Sequence, residues 1–141
     1  MKLTELETKF KESYPAGIRT FLFDDMSQIN ADKETLYPLL LFKPPVGIYK
    51  DISSNDKLTF KEWALDFFVF DVHIITETDS RKLQEVWEQM EDLGRSTIKK
   101  LLEDNTNIRI GEVNVTYGHH FGNDNLVGVR FQTPLLSFYA C

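Results

Sequence analysis

The longest regular pattern of apolar positions lies in residues 79–104. Leu83, Val86, Trp87, Met90, Leu93, Ile98, Leu101 and Leu102 recur three or four positions apart. That spacing marks one stripe on a helix of about seven turns. Asp79 or Ser80 offers a short side-chain oxygen that can cap its start. Glu85, Glu88, Glu91 and Asp92 crowd the first half and Lys99 and Lys100 sit near the end, an order the helix dipole favours. The turn formers Asp104-Asn105-Thr106-Asn107 stop it. A long helix with one apolar stripe, flanked by strand-like runs, needs a sheet to lie on.

The rest of the chain supplies that sheet. Residues 2–14 predict a short first helix with Leu3, Leu6, Phe10 and Tyr14 on one side, ended by Pro15-Ala16-Gly17. A short strand follows at 18–23, where Phe21 and Phe23 share a face. Residues 24–35 are polar and aperiodic and read as a loop. Residues 36–42 are apolar on both faces, as in a strand covered on both sides, with Pro38 confined to its start or to an edge. Residues 46–61 read as a long polar excursion. The strongest strand spans 63–76, with Trp63, Leu65, Phe67 and Val69 on one face and Phe68, Phe70, Val72 and Ile74 on the other. Such a strand is central in its sheet, or has one face covered by another subunit. After the long helix, 108–117 alternates as a strand and 118–125 is a turn-rich link. A last strand begins at 126–131, and its change of parity predicts a bulge or bend near Pro134. The expected fold is α+β: a mostly antiparallel sheet, one long helix packed on it, and a short N-terminal helix, all in one domain.

Composition narrows the function classes. A net charge of -6 argues against general affinity for nucleic-acid phosphates. It remains compatible with an acidic surface past which DNA slides. The single cysteine, Cys141, excludes an intramolecular disulfide and a cysteine-based zinc site, and a reducing compartment is the simplest setting. No run approaches the roughly 18 apolar residues of a membrane span, and no signal-peptide core precedes the first helix.

Candidate chemistry is sparse. His119 and His120 are adjacent, so on a strand they point to opposite faces and rarely share a metal ion. Asp66 and Asp71 lie on opposite faces of the main strand without a Ser–His or Cys–His pair, and the ordinary role of such an Asp is a salt bridge or hydrogen-bond anchor. Gly118 and Gly122 lack phosphate-binding spacing. Lys43, Lys50, Lys57 and Lys61 flank the 46–61 excursion, either as solvated charge or as a contact with an acidic partner. The residues predict no catalysis, no cofactor and no metal. The apolar surplus on the main strand predicts self-association.

With the elements in order, the chain resembles bacteriophage tail-completion or tail-terminator proteins of the head–tail neck. The resemblance lies in the first helix before Phe21-Leu22-Phe23-Asp24, then Tyr37-Pro38-Leu39-Leu40-Leu41-Phe42-Lys43-Pro44-Pro45. The long strand from Trp63 to Asp71, the helix after Thr78-Asp79 and the closing Leu126-Val127-Gly128-Val129-Arg130-Phe131 complete it. It implies a virion protein, made in the bacterial cytoplasm, that forms a ring of commonly six subunits. Such a ring docks to tail-tube or connector proteins and leaves a channel that DNA crosses without specific binding. The resemblance also implies two contact tips. One carries Tyr49, Lys50, Asp51, Ser53, Ser54, Asn55, Asp56 and Lys57, and the other His119, His120, Phe121 and Asn123. The competing expectation is a stand-alone α+β domain that binds a ligand or protein as a dimer.

Overall fold

The computed structural model describes residues 2–23, 36–50, 60–72, 82–105, 107–119 and 126–138. Two thirteen-residue strands, β4 (Phe60–Val72) and β7 (Leu126–Phe138), form its axis and pair antiparallel over their whole length. Two shorter strands share the outer edge of β4. β2 (Leu39–Phe42) pairs with Phe67–Phe70, and β3 (Val46–Lys50) with Phe60–Ala64. The outer edge of β7 is shared in the same way by β5 (Ile108–Ile110) and β6 (Asn114–His119). β1 (Thr20–Phe23) runs parallel to β2 and completes a seven-stranded sheet. The α+β expectation holds.

Both edges are interrupted at the same level. Phe42 faces Phe67 and Val46 faces Ala64, so four steps on the edge match three on β4. Ile110 faces Leu135 and Asn114 faces Gln132, with the same surplus of one residue. Each break is a one-residue bulge, at 43–45 and at 111–113. The change of parity expected in the last strand near Pro134 does not occur; the irregularities sit instead on the strands paired beside it. β7 itself keeps register through the Ala64–Pro134 pair, and Phe131, Thr133, Leu135 and Ser137 all stay buried on one face. The carbonyl of Pro134 accepts a hydrogen bond from Gly111 N–H at 3.0 Å. Backbone N and O of one residue point the same way in an antiparallel ladder, so the missing proline N–H faces the edge that is already broken.

Two helices cover one face. α2 (Leu83–Asp104) buries Val86, Met90, Ile98 and Leu101 of the expected stripe together with Gly94 and Thr97; Leu83, Trp87 and Leu93 are half-buried, and Leu102 stays 40% exposed. It starts later than expected. Lys82 occupies the N-cap position in extended conformation and its backbone N–H donates to the Glu85 carboxylate at 3.3 Å; Asp79 and Ser80, expected as caps, lie outside the described residues. α1 (Leu3–Ser13) buries Leu6 and Phe10, whereas Leu3 faces outward. Phe10 stacks on Phe42 with ring centroids 4.4 Å apart and meets Phe67 edge-on at 5.3 Å; Phe67 stacks on Phe131 at 4.9 Å. These rings join α1, β2, β4 and β7 in a core whose aromatic pairs add to the burial of apolar area. Asn105 closes α2, donating from Nδ2 to the Leu101 carbonyl at 2.8 Å and accepting from Lys9 Nζ of α1.

On the opposite face, Leu39, Leu41, Phe68, Phe70 and Leu126 form a second cluster that is already buried in the single chain. A partner subunit is not needed to cover this part of the sheet. The surplus of apolar β-surface lies elsewhere. Beyond the two bulges, the sheet continues as an arm made of β3, β5 and the far ends of β4 and β7. There Val46 is 66% and Ile48 52% exposed, on the same face as exposed Ala64 and Pro134.

Candidate functional site

Residues 46–50, expected in a polar excursion, instead form β3 and carry part of the arm. The signal was present in Val46 and Ile48 alternating around Gly47, but the polar residues after Lys50 masked it. On the helix side of the arm, Lys61 places its ammonium 3.9 Å from the Trp63 ring centroid and 4.8 Å from that of Tyr49. A cation over two aromatic faces is held by their quadrupoles. The Trp63 ring is buried, and its indole N–H has no acceptor among the described residues.

Where the arm leaves the body, an open trough of about 490 Å³ lies on the sheet face away from the helices. Asp66 forms its charged floor. Arg130 grips that carboxylate in a fork, Nε at 2.9 Å and Nη2 at 2.6 Å, and Lys43 Nζ stands 3.8 Å away. The hydrogen bond to Asp66 raises the Arg130 pKa further, so the guanidinium is charged at any working pH. The bidentate geometry is the strong form of this contact. It ties β7 to β4 beside the bulge, the anchoring role expected for a lone strand Asp.

A second cleft, of about 240 Å³, opens between α2 and β6 at the other end of the sheet. Trp87 and Tyr117 form its walls, with ring centroids 5.7 Å apart and planes at 53°. The Trp87 indole N–H donates to the Gly118 carbonyl at 2.9 Å, and the Tyr117 hydroxyl donates to the Glu91 carboxylate. That hydrogen bond, helped by the negative charges of Glu91 and Glu88, holds the tyrosine above its ordinary pKa of 10.0. Trp87, expected in the core, packs half-buried against it and also lines this opening. Sequence reading missed this pairing because helix spacing cannot show which strand residue a ring will meet.

Of the residues assigned to contact tips, Tyr49 and Lys50 end β3 and His119 ends β6. Through the register, Lys50 faces Phe60, whereas His119 faces Val127, which faces Asp71. The two groups therefore lie at opposite ends of the sheet, about 36 Å apart along β4. Asp51, Ser53, Ser54, Asn55, Asp56, Lys57, His120, Phe121 and Asn123 lie outside the described residues, as does His73. Among the described residues no His, Cys, Asp and Glu cluster could hold a metal ion, and no helix is long and apolar enough to cross a membrane.

Fold and surface together define an α+β protein with a helix-backed, interrupted sheet whose end beyond the bulges leaves one apolar face exposed. Comparison with protein-family models and with curated proteins finds no match to this chain.

Proposed function

We propose that the protein is a structural, non-enzymatic component of a phage virion: a subunit of a ring at the head–tail junction that completes or terminates the tail. Its partners are further copies of itself, in a ring of about six, and the adjoining tail-tube or connector proteins. DNA crosses the central channel without specific binding, in keeping with the net charge of -6.

One observation carries the reading. The sheet extends past its bulges as an arm whose outer face leaves Val46 and Ile48 largely exposed, next to Ala64 and Pro134, while the rest of the core is closed. Exposed apolar β-surface invites a protein neighbour. The sequence resemblance to neck proteins supplies the particular assembly. A second reading, a stand-alone binding domain acting as a dimer, draws on the trough above Asp66, whose volume suits a small ligand.

Native mass and negative-stain imaging over a range of concentrations separate the two. Closed rings of about five to seven subunits support the neck reading, because such cyclic symmetry is unusual in a small binding domain. A compact dimer at every concentration favours the second reading. Shortening the tip at Ser53–Asp56 sharpens the test. A ring subunit keeps its fold and loses assembly, whereas a binding domain self-associates as before.

A further inference from the structure

The helix side of the sheet carries opposite charges at its two ends. At the arm, Lys61 stands half exposed between the rings of Tyr49 and Trp63. At the other end, Trp87 and Tyr117 wall a cleft rimmed by Glu88 and Glu91. Tyr117 faces Val129, and Val129 faces Val69, eight residues along β4 from Lys61. That is about 26 Å of extended strand. One molecule cannot bring its own arm to its own cleft.

The cleft has the attributes of a receptor for a cationic side chain. Its two aromatic walls are inclined to each other, and cations are attracted to such faces, more strongly where water is excluded. The Trp87 N–H and the Tyr117 hydroxyl are both engaged within the chain, so neither competes for a partner's acceptor groups. The raised tyrosine pKa reports the same negative field. A volume of about 240 Å³ is ample for a lysine-sized chain.

We infer that this cleft receives the Lys61-bearing arm of a second copy of the chain. The inference rests on the assembly reading above and names its contact. Two different, complementary patches at opposite ends of one molecule make a head-to-tail interface, which gives a ring when the rotation closes and a filament when it does not. The arm brings the charge, the cleft the counter-charge and the aromatic faces.

Charge reversal on each side, followed by mixing, tests it. Lys61→Glu spoils the arm and keeps the cleft; Glu88→Lys spoils the cleft and keeps the arm. Both positions are off the core. Each variant alone is expected to associate about tenfold or more weakly than the unaltered protein, because like charges then meet. An equimolar mixture is expected to recover association, since every arm then meets a cleft of opposite charge. Native mass reads both, and circular dichroism checks folding. The neutral pair Lys61→Gln and Glu88→Gln serves if a reversal unfolds, with a smaller loss expected from each. Unaltered assembly in every variant, or weakened variants that mixing does not restore, overturns this contact while leaving the assembly reading in place. An unaltered protein that is monomeric at all concentrations overturns both.

Discussion

Asn105 shows how much one polar side chain can organise. It is almost fully buried, yet its amide is satisfied on both sides, by the Leu101 carbonyl and by Lys9 of the other helix. Asn105→Ala removes both bonds and leaves the carbonyl and the ammonium without that partner. The expected cost is about 1–3 kcal/mol, read as a lower urea midpoint at unchanged slope. Gly94 makes the opposite point, since ordinary helix propensity favours alanine there by about 1 kcal/mol. A Cβ at Gly94 would lie 2.2 Å from the Phe131 ring, so α2 can approach the sheet this closely only without one. Gly94→Ala is expected to destabilise by about 1–3 kcal/mol despite its propensity; a gain in melting temperature would show that the helix shifts freely. Tyr117 gives a pH prediction. Its folded pKa is raised, so the stability its protonated form supplies is complete below about 10 and is lost as pH rises through the higher folded value. Ultraviolet titration should find a tyrosine that ionises above its ordinary pKa of 10.0, and Tyr117→Phe should abolish that late step.

Among the elements, the fork from Arg130 to Asp66 is the clearest link between the two central strands. Asp66 is only 18% exposed, so its removal strands two cations beside the sheet. Asp66→Ala is expected to cost about 1–3 kcal/mol. A double-mutant cycle with Arg130→Ala should show non-additivity, because the two changes share one interaction. Long, strongly patterned elements were legible in the sequence. The α2 stripe and the two-faced run through Phe67, Phe68, Val69 and Phe70 needed no tertiary information, since their period alone reports which positions are buried. The short elements were not. β3 owes its existence to pairing with Phe60–Ala64, and Gly47 at its centre weakens any local strand signal. Pro134 pointed to an irregularity, yet a proline reports only a missing N–H. Which strand bends around it depends on the neighbour, here residues 111–113. Among the sites, Tyr49 and His119, expected in a polar excursion and a turn-rich link, instead belong to β3 and β6, and the Trp87–Tyr117 cleft arises from a contact across thirty residues that no local pattern encodes.

At the scale of the whole molecule, the proposed assembly would use a surface that folding leaves open, which makes the two separable by mutation. The second sheet face, which the sequence suggested a partner would cover, is buried within the chain around Phe68 and Phe70. Among the described residues the most exposed large apolar side chain is Val46, on the arm beyond both bulges, with Ile48 pointing outward beside it. Ile48→Asp places a charge on that face without touching either buried cluster. Exposed substitutions of this kind change stability by no more than about 0.5 kcal/mol, so the unfolding midpoint should stay where it is. If the arm docks on a neighbour through this face, burying an unpaired carboxylate there opposes association, and native mass should shift toward the monomer at concentrations where the unaltered protein assembles. A variant that assembles normally would leave the outer face of the arm in solvent, with contacts confined to its helix side. A variant that loses both fold and assembly would mean that Ile48 belongs to the core, against its 52% exposure.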